Sequence, residues 1–578
     1  MKNEVVGWGA AGAAWARPDA ESVSRGIAQT LYDLGVRETF GVLGGGIAPF
    51  AAGLSNTPLK FFHFRHEAGA GFAALEASFE SGRPGVVVVT TGPGLFNVLN
   101  AAMAARVDDA KFLVISGFTA PALAGRGAVQ ETTAATMPAE LLRPGSLFHE
   151  VAIPETVEAL GPALARLARG FSSPGGFVAH LGLPLSLQTQ LLPAPLPAAA
   201  KWEVALPAPT TASLDACLEA LLDPAALLWV GHGARRAHTH LRRFVEAAGL
   251  PVASSPRGKG VFPEAHPQFL GVSGAGGGTE VRTWFAEKKP KHALVIGTRL
   301  GEVTSFLAPG LCPSESFTHV DVDPRAFGAA FPQARGHGVV ADAATFLEAL
   351  HARAEQTRWF ARRARVTPPE RAVELLHPRE AAPIRPQFVM QVLQELVVKR
   401  SDALLVSEAG TSFTWCNAHL RFDAPGRYRT AAAWGSMGHF TTGCVGAALA
   451  GTRKVVAVVG DGAMLMNNEL NTAAQYGADV LWLVLNDAQL GLNEHGMTAL
   501  GMKPVETQLP RTDFVAFARS QQADGATVNT ETELHAALSA ALARRGPFVL
   551  DLNIDRTVPS PVVAERVKSL QRQGQVAR

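Results

Sequence analysis

The fold class this sequence predicts is α/β, with three domains of doubly wound parallel sheets. Three observations predict it. Short β-branched and aromatic runs recur along the 578 residues. They are continuous rather than alternating, as strands buried on both faces are. Ala-rich stretches of helical length separate them, and strands alternating with helices imply a parallel sheet covered on both sides. At roughly 100–200 residues per domain, the length suggests about three domains.

The first block, 18–190, has strand-like runs at Thr39–Leu43, Phe61–Phe64, Gly85–Thr90 and Phe112–Ser116, with helical stretches at Ala68–Glu80 and Asn97–Ala105. A Pro-rich stretch of low charge, Leu191 to Pro209, reads as a linker. The central block, 208–362, offers strands at Leu227–Val230, Val252–Ser254, Ala293–Ile296 and Phe317–Val322. After a second Pro-rich break, the third block, 387–556, offers Ala403–Val406, Lys454–Val459, Val480–Leu485 and Phe548–Leu552. Residues 557–578 are polar and read as an arm or lid.

Composition excludes several classes. The formal net charge is +2, so nothing global attracts nucleic acid or an acidic membrane. The pairs Arg362-Arg363 and Arg544-Arg545 are short enough to be solvated helix faces. No apolar run reaches the ~20 residues of a membrane span. The four cysteines, at 217, 312, 416 and 444, form no CxxC pair. That suits free thiols in a reducing compartment. Asp19 and Glu21 interrupt the first 30 residues, which lack the apolar core of a secretory signal. A cytoplasmic location is expected.

The stretch that carries chemistry is Gly460-Asp461-Gly462-Ala463-Met464, then helix, then strand, then Asn486-Asp487. Asp461 follows one strand and Asp487 ends the next, so both belong to the crevice at the carboxyl ends of a parallel sheet. A helix is expected to start near Asn467. Two hard oxygen ligands, with a backbone carbonyl at Gln489, suit Mg²⁺ that keeps a phosphate in its shell. Small residues around Asp461 let a diphosphate approach the backbone.

This segment resembles the metal and diphosphate motif of thiamine-diphosphate enzymes, in the acetolactate synthase and pyruvate oxidase-like superfamily. The interval between Asp461 and Asp487 is about one residue shorter than in the motif, which opens the choice between Asn486 and Asp487 as the side-chain ligand, and counting forward from Glu469 favours Asp487. Arg65-His66-Glu67-Ala68 resembles the Arg-His-Glu of acetolactate-synthase-like enzymes. The resemblance makes Glu67 the cofactor-activating acid. A carboxylic acid against N1′ of the aminopyrimidine favours the imino tautomer, which removes the thiazolium C2 proton. Gly44-Gly45-Gly46 resembles the turn facing the reacting carbons. Thr91-Gly92-Pro93-Gly94 with Asn97 resembles the turn near the pyrimidine. Val129-Gln130-Glu131 resembles a Phe-Gln-Glu segment that puts Gln130 on substrate. In the third block, Gly410, Thr411 and Ser412 resemble the diphosphate-side turn. Ser436-Met437-Gly438 resembles the segment whose bulky residue wedges under the bent cofactor, a proximity effect. Glu494 and His495, past the metal strand, are candidates for proton transfer at the substrate, and His439 is another.

The resemblance implies the domain order pyrimidine-binding, central, diphosphate-binding. It implies sites shared between protomers, hence a homodimer or homotetramer. Pro256-Arg257-Gly258-Lys259-Gly260-Val261-Phe262-Pro263-Glu264 resembles the central domain, which in some relatives holds FAD, in others ADP, in others nothing. FAD therefore stays open, with Gly274–Gly278 either a pyrophosphate loop or a plain one. The His-His pair usual in simple decarboxylases is absent between residues 100 and 150, where only His149 occurs. This leans toward a decarboxylating carboligase that passes an acyl-anion equivalent from a 2-oxo acid, such as pyruvate, to a carbonyl or acyl acceptor. A decarboxylase, a flavin-dependent oxidase and a non-catalytic relative are the alternatives. Two departures argue against a housekeeping branched-chain synthase. Asn493-Glu494-His495-Gly496 stands where a Trp is expected, and Leu185 where a Lys is usual.

Overall fold

The computed structural model describes residues 22–198, 202–371, 374–572 and 574. The reading of the first 30 residues as no secretory signal lies mostly outside them, as does the end of the arm. The chain forms two compact units. One comprises the chain up to Val204 with Val445–Gly451, and the other comprises Ala205–Cys444 with Thr452–Arg578.

The first unit holds a six-stranded parallel sheet of order β2-β1-β3-β4-β6-β5. Its strands are β1 (Glu38–Gly41), β2 (Lys60–His63), β3 (Gly85–Val89), β4 (Lys111–Phe118), β5 (Glu150–Ala152) and β6 (Phe177–Pro184). β3 is Gly-Val-Val-Val-Val and wholly buried, as a strand covered on both faces must be. Val86, Val88, Leu113 and Ile115 pack with Ile27, Leu31 and Leu164 in one core.

The second unit carries two more six-stranded parallel sheets. One has the order β12-β11-β10-β7-β8-β9. Its strands are β7 (Leu227–Val230), β8 (Val252–Ser254), β9 (Phe269–Val272), β10 (His292–Ile296), β11 (Ser316–Asp321) and β12 (Gly336–Val340). The other has the order β14-β13-β15-β16-β18-β17. Its strands are β13 (Leu404–Ser407), β14 (Tyr428–Thr430), β15 (Val455–Gly460), β16 (Val480–Asn486), β17 (Asp524–Val528) and β18 (Phe548–Asn553). The expected strands lie within one or two residues of these. The expected arm contains a helix, Val563–Arg572. Among the described residues no helix is long and apolar enough to cross a membrane.

One local expectation is corrected. The helix expected near Asn467 starts at Asp461 itself, runs Asp461–Met466, breaks where Asn467 is extended, and resumes at Leu470–Tyr476. An acidic first residue suits a helix N-terminus, where the unpaired N–H groups and dipole favour negative charge.

Within the second unit, Lys259 and Glu264 form a fully buried ion pair at 2.9 Å. Glu264 also accepts from Gly260 N. Asn417, on the helix Thr411–His419, donates to Ala275 O at 2.9 Å. Lys259 Nζ also donates to Asn417 O, so these contacts fasten the C-terminal half of that helix to the loops of the central sheet.

The first unit buries a neutral imidazole. His180 on β6 has Ser116 Oγ 2.8 Å from Nε2 and Leu141 O 3.1 Å from Nδ1. Burial pushes its pKa down to about 4. A histidine whose folded pKa lies below its unfolded value destabilises on acidification, because the unfolded chain takes up the proton first. The His180 contribution, on the order of 3 kcal/mol, is therefore present above about pH 6.5 and lost as pH falls toward 4. Urea unfolding from pH 7.5 to 4.5 should show this slope, and His180→Gln should flatten it. An unchanged slope in the variant would remove His180 as its source.

Candidate functional site

In the first unit, the sequence candidates lie beyond the carboxyl ends of β1, β2, β3 and β4. Glu67 is the first residue of the helix Glu67–Ser81 and is 9% exposed. The preceding His66, not Glu67, caps that helix, its Nδ1 accepting from Ala68 N. Glu67 Oε2 accepts from Asn97 Nδ2 at 3.0 Å. Its other oxygen lies beside Gly94, where a Cβ would come within 3.3 Å of Oε1. Gly94 thus leaves one carboxyl oxygen uncrowded.

The glycine turn packs on its neighbours. A Cβ on Gly44 would meet Thr90 Oγ1 at 2.6 Å, and one on Gly46 would meet Thr91 Cγ2 at 2.6 Å. Around Gly45 there is open space. Thr91 Oγ1 donates to Gln130 Oε1 at 2.9 Å, and Gly92 N donates to Thr132 Oγ1 at 2.7 Å. Gly92 and Gln130 both have positive φ, +39° and +51°. A positive φ at a glutamine is uncommon and marks a conformation the surroundings impose. Glu67, Gly92, Asn97 and Gln130 are thereby linked through short contacts, with Gly46 packed on the same threonine as Gln130. His149 is occupied elsewhere, its Nδ1 accepting from Val178 N at 2.9 Å.

In the second unit, Asp461 and Asp487 converge at the ends of β15 and β16. Asp461 is 4% exposed and Asp487 half-buried. Asp461 Oδ1 accepts from Gly462 N and Oδ2 from Ala488 N, each at 2.7 Å. Burial and then the Asp487 charge push Asp461 up to about 7. Burial pushes Asp487 up to about 6, against a 3.3 Å bond from Gln489 Nε2. Asn486 turns away: its Nδ2 donates to Asp551 Oδ1 at 2.9 Å and Thr512 O at 3.0 Å. Register explains this, since Asn486 pairs with Asn553 on β18, two residues from Asp551. No group of three or more His, Cys, Asp or Glu side chains could hold a metal among the described residues. The corner offers two carboxylates, and hard oxygens of this kind would suit Mg²⁺ if carbonyl and phosphate oxygens completed the set.

Beside this corner is a cradle. Gly410, with φ +103° and nothing near its Cβ position, precedes the helix Thr411–His419. Ser412 Oγ, on its first turn, is buried without a hydrogen-bond partner among the described residues. A Cβ on Gly460 would meet only Ser412 Oγ, at 3.9 Å. An unsatisfied buried donor costs stability unless something fills the place. Here an open glycine-lined space at a helix N-terminus faces it, which fits a diphosphate oxygen. Thr411 Cγ2 and Asp487 Oδ2 both crowd Gly491, at 3.4 and 2.9 Å from its Cβ position. Ala463 is buried, and Met437 Cε lies 3.9 Å from the Cβ position of Gly462. Ser436 Oγ donates to Met437 O.

The remaining candidates have structural partners. Glu494 Oε2 accepts from Thr507 Oγ1 and Gln508 Nε2, and His495 Nε2 meets Arg556 O at 3.0 Å. His439, 1% exposed, stacks on Phe440. Sequence reasoning gave Glu408 no role of its own. It is fully buried, and its carboxylate accepts from Phe440 N and Thr441 N at the start of the helix His439–Ala450. Burial raises its pKa, opposed by His439 and these N–H groups. A Glu directly after a strand was the available signal. In the central part, Gly274–Gly278 packs on its own chain. Cβ atoms on Gly274 and Gly277 would lie 2.0 and 2.2 Å from backbone oxygens of Val303 and Val272. Close backbone approach accounts for both glycines.

Three family models match in succession: the thiamine pyrophosphate enzyme N-terminal TPP binding domain over residues 21–137, the central domain over 222–350, and the C-terminal TPP binding domain over 408–552. The chain is 31% identical over 517 residues to a Mycobacterium tuberculosis protein provisionally named acetolactate synthase large subunit IlvB2, covering 86% of this chain and 91% of that protein. It is 26% identical to the acetolactate synthase isozyme 1 large subunit of Escherichia coli K12, covering 92% and 93%. The X-ray structure of a provisionally named thiamin diphosphate-dependent enzyme from Mycobacterium smegmatis superposes with a TM-score of 0.77 at 22% identity, covering 93% of this chain and all of that one, and shows the same fold. The chain belongs to the thiamine-diphosphate enzymes of acetolactate synthase type. It is an enzyme that binds thiamine diphosphate and makes or breaks carbon–carbon bonds.

Two like charges in one buried corner repel when no cation lies between them. Asp487→Asn should therefore raise the melting temperature of the metal-free protein at pH 8 by a few degrees. A fall would mean that the Asp487 charge is compensated by the chain itself.

Proposed function

We propose that this chain is a decarboxylating carboligase. It takes a 2-oxo acid such as pyruvate and transfers the acyl unit to a carbonyl or acyl acceptor other than that of the housekeeping branched-chain synthase. The observation that carries the cofactor part is the Asp461–Asp487 corner beside the unfilled Ser412 and Gly410 cradle. Asp461 and Asp487 are assigned to Mg²⁺ with the Gln489 carbonyl. The engagement of the Asn486 amide with Asp551 and Thr512 supports Asp487 as the side-chain ligand. Gly410, Thr411, Ser412, Gly460, Gly462 and Ala463 are assigned to the diphosphate, and Ser436 and Met437 to the rings.

When bound, thiamine diphosphate supplies the electron sink for decarboxylation. Glu67 is assigned to hold a proton at N1′ of the aminopyrimidine, its orientation set by Asn97, with Gly92 alongside. Gly45, Gly46 and Gln130 are assigned to the substrate side, the Thr91 hydroxyl fixing the Gln130 amide. Glu494 and His495 are assigned to proton transfer at the substrate beyond the metal. The domain roles follow: 18–190 pyrimidine-binding, 208–362 central, 387–556 diphosphate-binding, 557–578 an arm. Sites completed between protomers make the working form a homodimer or homotetramer, in the cytoplasm. The packing of Gly274–Gly278 on its own chain lends no support to FAD, so the reading carries no flavin step.

Glu67→Gln should lower turnover by at least about a hundredfold, the scale of a lost acid–base group, while thiamine diphosphate still binds by calorimetry. Undiminished turnover would overturn the role of Glu67. Incubating the protein with thiamine diphosphate, Mg²⁺ and a panel of 2-oxo acids, with and without aldehyde, ketone or acyl acceptors, tests the reaction. Mass spectrometry should find a product with a new C–C bond. A free aldehyde as sole product would make it a decarboxylase, peroxide an oxidase, and no turnover with any donor a non-catalytic relative.

A further inference from the structure

A cavity of about 580 Å³ lies at the carboxyl ends of β16 and β18. Its walls include Ala488, Leu509, Arg511, Asn553, Ile554 and Arg556. This is the edge of a parallel sheet at which ligands bind, and the volume is within the roughly 300–1,000 Å³ of small-molecule sites.

The lining is chemically uneven. Arg511 donates to Asn486 O at 3.4 Å and Arg556 to Gln508 Oε1 at 3.0 Å. The Arg511 charge also reaches the carboxyl groups of Asp487 and Asp551, holding both pKa values lower than burial alone would. The one carboxylate in the wall, Asp555, closes its own turn by accepting from Thr557 N at 3.0 Å and Thr557 Oγ1 at 2.6 Å. Ile554, Leu509 and Pro383 supply apolar surface. Two guanidinium groups over an apolar floor match an anionic head on a short organic body, because Arg recognises carboxylate and phosphate through paired N–H bonds. A bare inorganic ion would leave most of the volume unfilled.

The cavity also shares backbone with the corner described above. Ala488 donates to Asp461 on one side. On the other, Ala488 O accepts from Leu509 N at 2.8 Å, and Leu490 N donates to Thr507 O at 2.7 Å. Ala488 has φ +55°, strained for a residue with a side chain.

We propose that this cavity is a second ligand site, which binds a small organic anion carrying a carboxylate or a phosphate through Arg511 and Arg556. Isothermal titration of the holoenzyme, with thiamine diphosphate and Mg²⁺ present, tests it with succinate, glycerol 3-phosphate and inorganic phosphate as probes. Succinate or glycerol 3-phosphate should saturate, and whichever binds tighter names the head group. Inorganic phosphate should bind more weakly than both. Arg556→Gln and Arg511→Gln should each weaken binding about tenfold, the scale of one charge-assisted hydrogen bond. The double variant should abolish it, with melting curves checking that the variants fold. Arg556→Lys, which keeps the charge and loses the fork, should fall between wild type and Arg556→Gln. No saturation up to about 10 mM, weaker than any physiological affinity of interest, would overturn the proposal. So would binding undiminished in the double variant, which would place the anion elsewhere.

Discussion

The carboxylate of Asp461 ties a helix start to the loop after the next strand, and the geometry of the Asp461–Asp487 corner depends on it. One oxygen accepts from Gly462 N on its own helix and the other from Ala488 N after the next strand. The loop from Asp487 to Gly491 is thereby set against the end of β15. The cost is a buried charge near a second carboxyl group, since burial pushes both pKa values up and the Asp487 charge adds to the rise at Asp461. A protein retains such an arrangement when a cation offsets it. The fold supports the same point from below: β15 and β16 are buried and in register over six residue pairs, so the two aspartates are delivered by rigid elements rather than by mobile loops.

A similar economy governs the first unit. Glu67 is presented at the start of a long helix, with Asn97 on one oxygen and a glycine beside the other. The Thr91–Gln130 bond and the threonine–glycine packing of Gly44–Gly46 hold the adjoining turns at short range. Side chains and turns held this way are pre-positioned, and under the proposed function that is where proximity would contribute to rate. Thiamine diphosphate itself performs the electronic work. Under the proposed function the chain's task is to grip it, present Glu67 as the acid and arrange the second reactant.

Much of this was legible from residues alone, and the limits are physical. Strands buried on both faces announce themselves as runs such as Gly85–Val89 or Val480–Leu485, because nothing polar is tolerated there. Of the six strands without such a signal, β5, β9, β12, β14 and β17 lie at sheet edges. Edge strands are short, and half-solvated ones carry polar residues, as Gly336–Val340 does. β6 is internal, but His180 and Pro184 break its apolar pattern. Asp461 and Asp487 were visible because they sit at strand ends, and Glu67 because Arg65-His66-Glu67 resembles a family motif. Spacing favoured Asp487 over Asn486, but the engagement of the Asn486 amide was hidden, since it turns on the β16–β18 register that brings Asp551 beneath it. The early helix start at Asp461 was hidden for a related reason: a Gly-Asp-Gly reads as a loop unless its hydrogen bonds are known. The buried role of Glu408 likewise depends on a helix start some thirty residues later in the chain.

The most direct test of the Asp461–Asp487 corner is to locate the metal. Crystals grown with thiamine diphosphate and Mn²⁺, which scatters anomalously and substitutes for Mg²⁺ in oxygen sites, should show one strong anomalous peak. It should lie in direct contact with a carboxylate oxygen of Asp461, a carboxylate oxygen of Asp487 and two phosphate oxygens. A peak that engages Asn486 instead, or a bound diphosphate with no metal between it and these aspartates, would contradict the account.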